Sequence, residues 1–227
     1  MKKRLIIMTM MVAVATQFAI AQFYTGVRVG GTMGNISTPT IIDAVMPDFE
    51  YLPGIEAGIV SEYKINDQFS IQGEVNYREK GFRLREGMDI NVFNLDLPLG
   101  VRVDTRLRYI DMPIMAKYAF GNGPVKAYVA AGPQFGYAMN GNIRTRANFL
   151  VDWNLTNTPI NLDGLNHRRF EFGTVVGAGV EFEAGAGNIF IDARYSQSLS
   201  DSFRVPLVDL NIKNHGFGFG VGYKVSI

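Results

Sequence analysis

The feature that most constrains this chain is the length and purity of its two-residue alternation. After residue 22 the hydrophobic pattern has period two rather than 3.6. Eight segments carry it, at roughly 23–33, 54–64, 69–79, 107–120, 125–137, 169–183, 188–199 and 216–227. Most have about ten residues or more. A strand in a soluble domain has about 5–6, whereas a tilted strand crossing a bilayer needs about 9–11.

The two faces differ sharply. One holds Phe23, Val27 and Val29, then Ile55, Ala57 and Ile59, and continues in kind to Phe217, Phe219, Val221, Tyr223, Val225 and Ile227, with no charge on it. The other holds Arg28, Glu56, Glu62, Lys64, Glu74, Arg78, Asp111, Lys117, Lys126, Glu171, Glu181, Asp192, Arg194 and Lys224. Acids and bases on that face balance. Small residues lie between them, among them Gly177, Gly179, Gly218, Gly220 and Gly222. They leave room for bulky neighbours such as Tyr128 and Phe190.

A soluble sandwich would turn its apolar faces together and its charges to water. Strand length argues against it, and so does the balance of charge. The aromatics argue against it too, because they gather at strand ends. Phe23, Tyr63, Phe69, Tyr118, Phe120, Phe182 and Tyr223 fall at one end; Tyr77, Phe135, Tyr137, Phe170, Phe172, Tyr195 and Phe217 fall at the other. A double girdle of this kind suits two lipid–water interfaces.

The connections alternate in length. Those at 65–68, 121–124 and 184–187 are short and turn-rich; those near 34–53, 80–106, 138–168 and 200–215 are long. Short turns on one side and long loops on the other describe an outer-membrane barrel with both termini periplasmic. In hydrocarbon an unpaired backbone group costs several kcal/mol, so such a sheet must close. The fold expected is all-β, an eight-stranded antiparallel up-and-down transmembrane β-barrel. Its narrow interior would be plugged by ion pairs. Pro113 and Pro133 fall inside strands and predict bulges or local breaks, since proline has no N–H to donate.

The first 21 residues read as a cleaved signal peptide. Lys2, Lys3 and Arg4 precede an apolar run from Leu5 to Ile20, and Ala19-Ile20-Ala21 offers a cleavage site before Gln22. The barrel domain then spans 22–227. The last strand, with Gly222, Val225 and Ile227, fits an assembly signal for the barrel assembly machinery, although it ends in Ile rather than Phe.

Several strands resemble those of the PorT-like outer-membrane β-barrel family of Bacteroidota. They are the stretch from Arg108 to Tyr118 with its Tyr109, Asp111 and Pro113, and Ala127 to Pro133 with Gly132-Pro133. The segments Gly177 to Phe182, Asp192 to Ser196 and Gly26 to Gly31 resemble it as well. The resemblance implies an eight-stranded barrel in a Gram-negative outer membrane. It also raises a role as an accessory of type IX protein secretion.

Catalytic chemistry finds little support. Cysteine is absent and only His167 and His215 exist. Ser200, Ser202, Asp201 and Asp209 lie near His215 in sequence, but nothing fixes them together as a hydrolase triad. Asp89, Asp96 and Asp104 are the acids that could meet a cation in the second long connection. No catalytic, cofactor or metal residue is assigned. The lumen carboxylates, matched by bases, read as a structural network rather than acid–base machinery. A net charge of +1 gives no reason to expect a nucleic-acid partner. Binding would fall to the long loops. They mix Phe82, Leu84, Phe93, Leu95, Leu97 and Trp153 with Arg83, Arg85, Arg102, Arg106, Arg108, Arg144, Arg146, Arg168 and Arg169. That composition suits a protein partner or the anionic headgroups of lipopolysaccharide.

Overall fold

The computed structural model describes residues 22–37, 49–92, 95–121, 123–149, 151–160, 169–200 and 213–227. The expected signal peptide lies outside them, as do His167, Asp201, Ser202 and Asp209. The described residues form nine strands: β1 (Gln22–Ser37), β2 (Phe49–Lys64), β3 (Phe69–Val92), β4 (Leu95–Phe120), β5 (Val125–Phe149), β6 (Val151–Ile160), β7 (Phe170–Ala184), β8 (Gly187–Ser198) and β9 (Lys213–Ser226). All pair antiparallel. The order is β4-β3-β2-β1-β9-β8-β7-β5-β6, and β4 also pairs with β5. That last pairing closes an eight-stranded barrel. The remaining strand, β6, is a hairpin partner of the upper part of β5.

The closure has a definite offset. From Phe23 the register runs to Tyr63, Ile71, Ala116, Ala131, Val176, Tyr195 and Phe217, and returns to β1 at Met33. The path therefore comes back ten residues along its own first strand. With strands about 4.8 Å apart and about 3.3 Å of rise per residue, that offset sets a tilt of about 41° and a backbone radius of about 8 Å. A tube this narrow has room for side chains and for little else.

Short connections lie at the end that holds both termini. Asn66 closes the β2–β3 turn by accepting bonds from the backbone of Gln68 (2.9 Å) and Phe69 (2.7 Å). The β7–β8 turn uses Gly185 at φ 61°, a left-handed conformation that suits glycine.

Two sequence-based expectations need correction. The connection at 80–106 is not a loop, because β3 and β4 continue as a paired hairpin to Val92 and Leu95. Part of the connection at 138–168 is likewise strand, supplied by β5 and β6. The prolines, expected to bring bulges or local breaks, bring local breaks: the β4–β5 ladder is interrupted at Pro133, between Pro113↔Gln134 and Ala116↔Ala131. The β3–β4 ladder is interrupted opposite Pro113, between Gly73↔Ile114 and Asn76↔Asp111, yet the register is unchanged. The register shifts lie instead at Tyr51/Glu56, Arg108/Tyr109 and Thr145/Arg146. All are on the long-loop side, where a barrel wall changes curvature as it leaves the closed section.

Candidate functional site

The interior is where the alternation puts its charges. Val27 is 58% exposed while its neighbour Arg28 is 0% exposed, and the contrast repeats along every barrel strand. The fourteen aromatic residues at the strand ends stand on the outward face. Rings meet in pairs there: Phe69 with Tyr118 at 4.7 Å and Tyr118 with Phe120 at 4.7 Å on one rim, Phe135 with Phe172 at 5.4 Å and Tyr137 with Phe170 at 5.0 Å on the other.

The buried charges form three tiers. In the first, near the short turns, Lys117 meets Glu62 (3.0 Å) and Glu181 (2.6 Å). Lys224 meets the same two carboxylates, Glu181 at 2.7 Å and Glu62 in closer contact. Asn188 donates to Glu181 (2.6 Å). In the second tier Asp192 is gripped by Arg28 (2.6 Å) and Arg194 (2.6 Å). Arg194 also reaches Glu74 (2.7 Å), and Arg28 reaches Glu56 (2.9 Å). In the third tier Lys80 bridges Asp111 (3.0 Å) and Glu171 (2.8 Å), and Asn214 donates to Glu171 (2.8 Å). Arg78 lies between Glu56 (3.6 Å) and Asp111 (3.8 Å), so Glu56 links the second tier to the third.

An apolar layer separates the first two tiers. It is built from Val60, Met115, Tyr128, Ala130, Val175 and Phe190. Tyr128 spans it: Lys117 sits 4.1 Å from its ring centroid, and its hydroxyl donates to Asp192 at 3.1 Å. Glycines make the room. A β-carbon at Gly179 would stand 2.6 Å from Tyr128 Cζ, and one at Gly222 would stand 2.2 Å from Phe190 Cζ. Gly222, read in sequence as part of an assembly signal, thus also seats a lumen aromatic. Val225 and Ile227 lie beyond it, at the rim.

Twelve lumen residues named from sequence enter these tiers. Lys64 sits at the edge, 4.0 Å from Glu181 and over the Tyr24 ring at 4.2 Å. Lys126 makes no ion pair among the described residues. Sequence reading missed Lys80, which it left in the second long connection, and it missed the apolar layer. The run Arg78-Glu79-Lys80 breaks the charge alternation, which is why the strand seemed to stop there.

Among the described residues, the other groups weighed from sequence do not assemble into a reactive centre. His215 packs at 5.9 Å from the Tyr51 ring and 6.4 Å from the Tyr195 ring, and Ser200 Oγ accepts from the Phe172 backbone at 3.0 Å. Asp104 pairs with Arg83 at 2.7 Å, a hydrogen bond that raises the arginine pKa above its ordinary value. Eight residues along β4 separate it from Asp96, about 27 Å, so the three aspartates cannot share one cation. Among the described residues no cluster of acids or histidines could hold a metal ion.

Above the outer aromatics, β3, β4, β5 and β6 continue as a one-sided sheet. The outward face of β4 runs without a break from Ile110 through Arg108, Arg106 and Asp104 to Arg102. Arg108 lies 3.7 Å and Arg106 3.4 Å from Glu79. The opposite face is apolar, with Leu107, Tyr109, Ala138 and Ile160 packed together.

A closed antiparallel wall, apolar outside and ionic within, defines a membrane-spanning β-barrel. The family described as outer membrane protein beta-barrel domain matches residues 17–204, and the chain belongs to it. It is an outer-membrane protein. Among solved structures it is similar to Ail of Yersinia pestis, crystallised with the heparin analogue sucrose octasulfate. Identity there is 15%, coverage 89% of this chain and 99% of Ail, and the TM-score 0.40. Neisserial surface protein A gives 17%, 91%, 99% and 0.44. OprG of Pseudomonas aeruginosa gives 10%, 91%, 96% and 0.42. No curated protein sequence matches.

Proposed function

We propose that this is a non-conducting, non-enzymatic barrel whose work is interaction at the cell envelope, done by its outer sheet and loops. The observation that carries this reading is the three-tiered interior. Every barrel strand contributes a charged or polar side chain to it, and its carboxylates are held by cations from other strands. A carboxylate held this way is a poor general base, and a bore filled this way offers ions no path. What projects beyond the membrane is a sheet and loops, the parts of a barrel that meet partners.

Planar-bilayer recording on the refolded full chain tests the reading. The expected trace is flat. Steady unit conductance in the folded, heat-shifted form counts against it. A second reading, an accessory of protein secretion, rests on the strand resemblance at 108–118, 127–133, 177–182 and 192–196. Comparing the secreted proteins of cells with and without this gene separates the two.

A further inference from the structure

We propose that the outward face of the projecting sheet is a docking site for the phosphorylated headgroup of an outer-leaflet glycolipid. The proposal deepens the interaction reading above by naming a surface and the chemistry of its partner. The face is a direct continuation of the lipid-facing wall. Tyr77, Ile110 and Tyr137 share one register row at the outer aromatic rim. The next row holds Glu79, Arg108 and Asn140, and the one above it Gly81, Arg106 and Asn142. Then come Arg83, Asp104 and Arg144, and above them Arg102 opposite Arg146. Glu50 lies opposite Arg83 in the third of these rows, so six arginines stand against three carboxylates.

Those carboxylates are already engaged, Asp104 by Arg83, Glu79 by Arg106 and Arg108, and Glu50 by its attraction to Arg83. Arg102 and Arg146 face each other across the ladder, and like charges so placed are destabilising. Their Nε atoms are buried, with no hydrogen-bond partner among the described residues. An anion between the two guanidinium groups would relieve that repulsion and give the buried Nε atoms an acceptor. Phosphate fits, because the guanidinium fork binds its oxygens two at a time.

Position selects the source of the phosphate. The rows begin one step above residues that contact lipid, so headgroups are present there at high local concentration. Each row rises about 7 Å along the strand, and at a tilt near 41° the fourth row stands about 20 Å above the aromatic rim. The polar layer of a phospholipid leaflet is only about 5–8 Å deep. A headgroup reaching Arg102 and Arg146 must be taller than a phospholipid's, as a phosphorylated oligosaccharide is.

Binding is measured by fluorescence polarisation on the folded full chain with a labelled, bisphosphorylated deep-rough lipopolysaccharide. The triple variant Arg102→Gln/Arg144→Gln/Arg146→Gln should bind roughly 100-fold more weakly, at about fivefold for each basic group lost near an anionic surface. Lys126→Gln, at the opposite end of the barrel, should bind like the parent. The enzymatically dephosphorylated glycolipid should bind as weakly as the triple variant does to the intact one. If the triple variant loses its heat-dependent gel shift, Arg146→Gln alone is read instead, with about fivefold weakening expected. Undiminished binding by the arginine variants overturns the proposal. So does equal binding of phosphatidylglycerol vesicles, full competition by millimolar pyrophosphate, or tighter binding of a soluble sulfated polysaccharide. Conductance is indifferent to all of these outcomes, so this proposal can fail while the sealed-barrel reading stands.

Discussion

Gly220 lies directly against the guanidinium of Arg28: a β-carbon added to the glycine would stand 2.5 Å from Arg28 Cζ. The strands are neighbours, with Arg28 opposite Gly222 and Gly30 opposite Gly220. The glycine leaves a slot in the wall, and the arginine lies in it to reach across β9 to Asp192 on β8. Enlarging Gly220 to valine overfills the slot and pushes the guanidinium off its carboxylate. Overpacking of this kind costs about 1–3 kcal/mol. We expect Gly220→Val to lower the midpoint of urea unfolding of the lipid-refolded protein, and Gly73→Ala, where nothing stands within 4 Å of an added β-carbon, to leave it unchanged.

Asp192 is the acceptor on which the second tier converges, with Arg28, Arg194 and Tyr128 all donating to it. Asp192→Ala leaves two buried guanidinium groups short of a partner, and breaking a buried pair this way costs about 3–5 kcal/mol. Tyr128→Phe removes one neutral donor and costs about 1 kcal/mol. Equilibrium unfolding of both variants should rank them in that order. An Asp192→Ala protein as stable as the parent removes the second tier as a source of stability.

Val221 points outward at mid-strand and is 45% exposed. An arginine there meets hydrocarbon, at about 2–4 kcal/mol near the bilayer midplane. Val221→Arg should therefore destabilise the folded barrel in phospholipid vesicles, while Val221→Leu should not. Equal stability of the two would mean that this face is wet.

The projecting hairpin is separable from the barrel. Arg83 and Asp104 are directly opposite each other, so residues 84–103 can be replaced by Asn-Gly with the register kept. The shortened chain should retain the heat-dependent gel shift and unfold within about 0.5 kcal/mol of the parent, the usual range for changes away from packed features. Collapse of the barrel on shortening would show that the hairpin supports the wall.

Much of this was legible in the residues, and the limits have physical causes. Ile189, Ile191 and Ala193 against Asp192 and Arg194 reveal two solvents on two sides of one strand, because side-chain direction has period two. The eight-stranded count follows from counting such segments. The partners do not follow. Arg28 finds Asp192 at 164 residues' distance because β1 closes on β9 beside β8, and the ten-residue offset of closure is not written in any one strand. Lys80 escaped notice because Glu79 beside it is also charged, so alternation fails while pairing continues. Strand β6 escaped because Asn154, Thr156, Asn157, Thr158 and Pro159 carry no hydrophobic alternation; its order comes from β5.

The tiers also bear on the order of events during insertion. Arg28 and Glu62 belong to the first two strands, while Asp192, Arg194 and Lys224 belong to the last two. A chain inserted strand by strand would carry the early charges into hydrocarbon before their counter-ions arrived, at a cost of several kcal/mol each. The wall must then cross the bilayer with its interior still wet, and water leaves only when the terminal strand docks. Insertion and closure are one cooperative step, and the last strand to be delivered is the one that dries the core.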